Sequence, residues 1–245
     1  LGKQQVVWGE TDFFRAMDII HGYDQRWRSF LEPENEELRK PLILANVRVR
    51  VPELSGSLQL IYRPGWDNEE DIGTDIDFAG GRWAAQPLKG VDAHSQVGPG
   101  VPFNYEHSKG DYKDDSYGFR WEGTLNEVAY SLNYYRGPDN QAPTINPGIG
   151  AGGISYGDAP TNGFAEFIFP EVDTFGVTLN AYNGFLDTIF RGEFAYVPDQ
   201  PYNYGTSIPL PGFGGVIEKD TLRSMVGFDK QVNLVVLDQG SSSLQ

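Results

Sequence analysis

The chain has 245 residues, a formal net charge of −15 at pH 7 and no cysteine. This acidic balance argues against a nucleic-acid partner, because phosphate-binding surfaces need clustered Lys and Arg. The mean hydropathy of −0.42 and the lack of any run of about 18 apolar residues exclude helical membrane spans. Thirty glycines, sixteen prolines and 13% aromatic residues favour many strands joined by turns.

The first predicted strand covers Lys3 to Trp8 and is followed by a long connection. Within that connection, Thr11 to Ile20 is predicted to form a short helix that starts at a Thr or Asp cap. Apolar and polar residues then alternate in Pro41 to Val51 and again in Ser57 to Arg63. The short turn between these two segments predicts a β-hairpin.

A long acidic stretch from Pro64 to Ser116 shows little periodicity. So long a loop is uncommon in a compact soluble domain, whereas one rim of a membrane β-barrel ordinarily carries long loops. The next two strands are predicted at Tyr117 to Glu122 and Asn126 to Tyr135, with a tight turn between them. Long loops and short turns therefore alternate along the chain.

The second half of the chain repeats this alternation, with long loops predicted at Gly137 to Gly163 and Pro198 to Asp220. A final apolar run is predicted to be a buried strand or a plug segment. The predicted strands of this half are Phe164 to Phe169, Phe175 to Tyr182, Leu186 to Tyr196, Leu222 to Asp229 and the final run, Val232 to Leu237.

The period of two residues within these strands separates an apolar face from a polar one. In the segment that ends at Tyr196, Leu186, Phe190 and Phe194 share one face, and Arg191 and Glu193 share the other. One face suits lipid and the other suits water, as in an outer-membrane barrel. We therefore predict an all-β fold, an antiparallel transmembrane β-barrel or part of a larger one, with long acidic external loops on one rim and short turns on the opposite rim.

Charged residues on the polar faces are candidates for the lining of the lumen. Such a wall either orients water and selects solutes, or its charges pair across strands and hold a plugged barrel together. Both interpretations remain open. The lumen-lining candidates are Arg48, Arg50, Arg120, Glu122, Glu127, Asp187, Arg191 and Glu193.

Other kinds of site are less well supported by the sequence. The carboxylates between Asp67 and Asp77 lack the register of an EF-hand loop, so a solvated loop is favoured over a calcium site. The three histidines lack zinc-ligand spacing. Pairs such as Glu122 and Glu127, which would suit a glycosidase, are expected by chance in so acidic a chain. We predict no enzymatic activity, no metal and no cofactor.

Several motifs carry a resemblance to a known family. They are the opening from Gly2 to Arg15, the segments Asp18 to Ile20 and Leu31 to Pro41, and the later Arg191 to Tyr196. These residues resemble a proteobacterial outer-membrane protein family long catalogued only as a domain of unknown function. The resemblance implies a porin-like barrel larger than this chain, so residues 1–245 are expected to be an incomplete part of a longer barrel.

The resemblance also implies partners, because genes of this family often lie beside one for a lipoprotein-carrier-like protein and one for an inner-membrane transporter of the resistance-nodulation-division type. The expected partners are thus outer-membrane lipid, a periplasmic lipid-carrier-like protein and that transporter. The expected function is an outer-membrane channel or export component for small apolar or amphipathic molecules. The alternative is a soluble, secreted β-sandwich that binds carbohydrate. The positions of aromatic residues discriminate between the barrel and the sandwich. The barrel is favoured, because aromatic residues lie near predicted strand ends on the apolar face, namely Tyr117, Trp121, Tyr134 and Tyr196.

Overall fold

The computed structural model describes twelve parts of the chain. They are residues 1–10, 16–24, 35–65, 73–74, 101–102, 104, 106–107, 115–139, 144–205, 212–230, 232–233 and 243–244.

Strands dominate these described residues, alongside one four-residue helix, α1 (Asn35–Leu38), and two short 3-10 helices at Pro52–Leu54 and Ile149–Ala151. None of the helices described is long and apolar enough to cross a bilayer. The strands are β1 (Gly2–Gln4), β2 (Tyr23–Asp24), β3 (Leu42–Val51), β4 (Gly56–Arg63), β5 (Gly73–Thr74), β6 (Ser116–Leu125), β7 (Val128–Pro138), β8 (Thr144–Pro147), β9 (Ala165–Ile168), β10 (Glu171–Asn183), β11 (Thr188–Tyr204), β12 (Gly215–Asp229), β13 (Val232–Asn233) and β14 (Ser243–Leu244).

Eight of the strands form one large antiparallel sheet in the order β1-β3-β4-β6-β7-β10-β11-β12. Apart from β1, each strand pairs with the next long strand along the chain, so the sheet is a meander. Three small two-stranded pairs, β2-β5, β8-β9 and β13-β14, lie outside it. The prediction of an all-β, antiparallel fold is confirmed.

The two rims of the sheet differ as the sequence predicted. Short turns follow β3, β6 and β10, whereas residues 64–115, 139–170 and 205–214 join the strands at the other rim. In the turn between β6 and β7, Asn126 and Glu127 both have positive φ, 47° and 70°. This backbone conformation matches the right-handed twist of a hairpin. The turn between β10 and β11 likewise holds Asp187 at φ 49°.

Two predicted boundaries are wrong. The predicted loop Pro198 to Asp220 is largely strand, because β11 continues to Tyr204 and β12 begins at Gly215. The register shifts between Val197 and Gln200, so the proline at 198 falls in a bulge where the ladder needs no donor. The predicted loop Gly137 to Gly163 contains β8 and a 3-10 turn.

The N-terminal residues leave the sheet early. The predicted strand Lys3 to Trp8 is strand only as far as Gln4, and the chain then crosses one face of the sheet. Residues 5–10 and 16–23 on this face are called the inner segment. Residues 16–20 are not helical, and residues 11–15 of the predicted helix lie outside the described residues. Residues 234–237 of the final predicted strand also lie outside them.

The main hydrophobic core lies between the inner segment and the face of the sheet beneath it, called the inner face. Trp8 and Met17 are fully buried there, and the Trp8 ring packs edge-on against Tyr135 with centroids 6.1 Å apart. The other core members from the inner segment are Val6, Ile19 and Ile20, and those from the strands are Leu42, Leu44, Ile61 and Ala195.

The opposite face of the sheet, called the outer face, is apolar and exposed. Large apolar side chains project from it on β3, β4, β6, β7, β10, β11 and β12. Examples that are about 40% or more exposed are Ile43, Val47, Val49, Leu60, Tyr62, Tyr117, Phe119, Leu132, Phe175, Leu179, Tyr196, Leu222, Val226 and Phe228. This distribution is the reverse of that in a soluble sheet protein, whose exposed face is polar.

Candidate functional site

The inner face of the sheet carries buried polar side chains beside its hydrophobic core. The side chains that alternate with the outer apolar ones make a continuous hydrogen-bonded layer: Ser131 pairs with Thr178 at 2.7 Å, and Gln59 accepts a bond from the Trp8 indole at 3.1 Å. Buried polar groups need such partners. The buried members of this layer are Gln59, Arg120, Ser131, Asn133, Thr174, Thr178 and Glu193.

Glu193 fixes both described parts of the inner segment. Its carboxylate, which is fully buried, accepts the backbone N–H of Glu10 at 2.6 Å and that of Met17 at 3.0 Å. The two donors flank residues 11–15, so one carboxylate on β11 holds both ends of this stretch against the sheet. Arg191, two residues earlier on the same face, donates to the Glu10 carbonyl at 2.8 Å.

The side chain of Glu10 points back to the sheet as a second anchor. Its carboxylate accepts from Arg120 Nη2 at 3.3 Å and from the Thr178 hydroxyl at 3.1 Å. Arg120 also donates to the Val7 carbonyl at 3.0 Å. Two strands, β6 and β10, are thereby joined through one side chain of the inner segment.

An open depression of about 470 Å³ lies beside Glu10, at the rim of the short turns. Its charged walls come from β3, β6 and the inner segment. Arg48 pairs with Glu122 at 3.2 Å, and Arg120 Nε lies 3.3 Å from the other oxygen of the same carboxylate. Its lining residues are Glu10, Arg48, Arg50, Ser55, Gly56, Ser57, Arg120, Glu122, Gly123, Thr124, Ala129 and Tyr130.

A second buried polar cluster holds the inner segment near the rim of the long connections. His21 accepts the Val6 N–H at Nε2 and donates from Nδ1 to the Lys40 carbonyl, both at 2.8 Å. Burial lowers the pKa of His21 to about 4, although the nearby Asp18 carboxylate opposes the shift. Asp18 itself pairs with buried Arg39. A neutral imidazole therefore links two backbone segments at pH 7.

Comparison with known proteins gives one match. A family model described as "Protein of unknown function (DUF1302)" matches residues 1–240. The chain belongs to the DUF1302 family. The resemblance of its motifs to a domain of unknown function is thus confirmed. No curated protein and no solved structure matches the chain.

Within this DUF1302 chain, six of the eight lumen-lining candidates lie on the inner face. They form two groups: Arg48, Arg50, Arg120 and Glu122 line the depression, and Arg191 and Glu193 lie beneath the inner segment.

The other two candidates lie in turns. Glu127 belongs to the β6–β7 turn, and Asp187 accepts a hydrogen bond from the Tyr182 hydroxyl at 2.8 Å in the β10–β11 turn. The strict alternation had placed both on the polar strand face. It fails there because β7 begins only at Val128 and β11 only at Thr188, and positive φ at Glu127 and Asp187 reorients their side chains.

Several polar residues of this DUF1302 chain that the structure brings to the site carry no periodic signal. Glu10, Asp18 and His21 are in the inner segment, and their partners lie elsewhere in the sequence. The only sequence signal that pointed to these residues is their position in or beside the opening motifs that resemble the family. In the described ranges no group of three or more His, Cys, Asp and Glu is arranged to hold a metal. The acidic residues between Asp67 and Asp77 lie outside those ranges, so their calcium binding stays untested.

Proposed function

We propose that this chain is part of an outer-membrane β-barrel that acts as a channel or as a transport or export component for small apolar or amphipathic molecules. The observation that carries the proposal is the reversed polarity of the sheet. Its outer face exposes large apolar side chains on successive strands, and its inner face buries charged and polar ones. Lipid solvates the first arrangement and water or a polar lumen the second.

The lengths of three of the strands support a membrane location. Strands β3 and β6 have 10 residues each and β7 has 11, which matches the roughly 9–11 residues that a tilted strand needs to cross a bilayer. A row of aromatic side chains also crosses neighbouring strands near the rim of the long connections. Tyr134 lies 6.2 Å from Tyr117 and 5.2 Å from Phe175, measured between ring centroids. Aromatic rows at one height are typical of the membrane interface.

The alternative of a soluble β-sandwich is less consistent with these faces. A sandwich buries the apolar face of its sheet against a second sheet. Here the covered face is the inner one, which combines a hydrophobic core with buried polar side chains, and its cover is the inner segment. The exposed apolar residues would then face water, and soluble monomers rarely expose apolar patches of more than a few hundred Å².

The inner segment covers only part of the inner face, and the uncovered part indicates where a solute would enter. It fills part of the inner face and leaves the arginine-lined depression open at the short-turn rim. Short turns of outer-membrane barrels lie on the periplasmic side. A periplasmic lipid-carrier-like protein, supplied by an inner-membrane transporter, would therefore meet this rim first. These partners and the outer-membrane location form part of the proposal.

The test compares two arginine substitutions on one strand. Leu132 is 49% exposed on the outer face, whereas Ala129 lines the depression on the inner face. Leu132→Arg near the bilayer midplane should cost about 2–4 kcal/mol and reduce assembly, whereas Ala129→Arg should assemble normally. Ser131 is unsuitable as the inner control, because it is buried and bonded to Thr178.

Assembly is measured as outer-membrane fractionation and as the difference in gel mobility between unboiled and boiled samples in detergent. Equal assembly of the two variants would contradict the assignment of the faces. A wild-type protein that stays soluble and shows no mobility shift would refute the membrane proposal and favour the carbohydrate-binding sandwich, which a glycan-binding assay would then examine.

A further inference from the structure

We infer that the depression beside Glu10 is a binding site for an anionic oxygen head group, either a carboxylate or a phosphate. The inference rests on the proposed function only in taking the inner face as the path of the solute. Its chemistry follows from the charged groups that line the depression.

The depression carries an excess of positive charge in an otherwise acidic chain. Three guanidinium groups, from Arg48, Arg50 and Arg120, face two carboxylates, from Glu10 and Glu122. The chain as a whole has a net charge of −15. A local cationic site of this kind concentrates anions against the field of the whole protein.

Arg50 is the cation left open for a ligand. Its side chain is exposed, and the described residues offer it neither a hydrogen bond nor an ion pair. Arg48, two residues earlier on the same face of β3, shares Glu122 with Arg120. Guanidinium groups bind carboxylate and phosphate through two parallel hydrogen bonds, so this arrangement suits a planar or tetrahedral oxyanion.

Arg120 supplies a fixed positive charge to the same depression. It is 6% exposed, and its terminal nitrogens are held by Val7 and Glu10. Its Nε is buried without a hydrogen-bond partner in the described residues, although the Glu122 carboxylate lies 3.3 Å away. A charge held rigidly at partial burial acts through a lower effective dielectric than a free surface arginine.

The volume of the depression suits a small head group with a short attached chain. A volume of about 470 Å³ lies within the range of small-molecule sites, roughly 300–1,000 Å³. Gly56 and Gly123, which lack side chains, form part of its lining. Ser57 adds a hydroxyl, which donates to Glu122 at 3.4 Å.

The experiment is a calorimetric titration of the full chain in detergent with inorganic phosphate, hexanoate, hexyl phosphate and, as a cation of similar size, hexyltrimethylammonium. The test variant is Arg50→Gln. The matched control is Arg223→Gln, which removes the same charge from β12 outside the depression. We expect the anions to bind and the cation not to bind. Arg50→Gln should weaken anion binding about tenfold through the loss of one charge-assisted contact, and Arg223→Gln should leave it unchanged.

The probes also identify the source of the head group. Inorganic phosphate that binds as well as hexyl phosphate indicates a site for free anions, whereas binding of the hexyl compounds alone indicates an amphipathic solute. Absence of anion binding, or an equal loss in both variants, would overturn the inference. Because the mobility shift on gels is measured separately, a chain that shifts but does not bind anions refutes this site alone. A chain that binds anions but does not shift refutes only the membrane proposal.

Discussion

Glu193→Gln should release the inner segment while the sheet stays intact. The buried carboxylate accepts two backbone N–H groups, from Glu10 and Met17. An amide of the same shape keeps one acceptor oxygen and turns its own N–H groups toward the second donor. A hydrogen bond to a charged group contributes about 1.5–3 kcal/mol, so losing one bond and weakening the other should cost about 2–4 kcal/mol. The β10–β11 ladder at Thr178 and Glu193 uses backbone groups and is unaffected.

Hydrogen exchange of the backbone amides measures this effect by region. A local cost of about 2–4 kcal/mol corresponds to exchange that is roughly 30-fold to 1,000-fold faster in the inner segment. Amides of β7 and β10 should keep their protection, and the gel mobility shift should remain. The matched control is Glu53→Gln, an exposed carboxylate in the turn after β3.

Either of two results would contradict the prediction for Glu193→Gln. Unchanged exchange at the amides of residues 6–10 and 16–20 would mean that Glu193 does not fix the inner segment. A uniform loss of protection through the sheet would mean that the inner segment and the sheet unfold together as a single unit.

Two further predictions concern the same interface. The pKa of His21, lowered from 6.5 to about 4, means that its contribution to stability is complete above about pH 6.5 and is lost as the pH falls toward 4, by roughly 3 kcal/mol. Denaturation from pH 7.5 to 4 should show this slope and His21→Gln should reduce it; parallel curves would contradict it. Gly118→Ala would place a Cβ 2.6 Å from the Tyr134 carbonyl oxygen and 2.8 Å from the Trp8 ring, so it should lower the free energy of unfolding by about 1–3 kcal/mol. The control is Gly227→Ala, whose Cβ would lie at an ordinary 3.6 Å from the Met225 sulfur and should change the unfolding midpoint little.

The strands were predictable where each carries its own period. Phe190 and Phe194 alternate with Arg191 and Glu193 in the sequence as they do on the two faces of β11. This local pattern is set by the pleat and needs no knowledge of distant residues. The alternation does not indicate where a strand begins or ends. It therefore predicts Glu127 on the polar face of a strand, although this residue lies in a turn.

The inner segment was not predictable, because its partners are remote. Glu10 lies 183 residues from Glu193 and 110 from Arg120 along the chain. Nothing in the pattern near Trp8 shows that the chain leaves the sheet after Gln4. The bulge that prolongs β11 past Val197 is similarly hidden, because Pro198 normally ends a strand and is tolerated here only where the ladder is interrupted.

The long separation between the inner segment and its anchors also sets an order of events during biosynthesis. The inner segment is made before β11, so Glu10 and Met17 find their acceptor only once β11, more than 170 residues later, has been synthesised and placed in the sheet. Contacts of such high sequence separation form slowly, and the apolar groups that await them are prone to aggregation. We therefore expect Trp8 and Met17 to remain exposed in the nascent chain, and prone to aggregation, until β11 has joined the sheet.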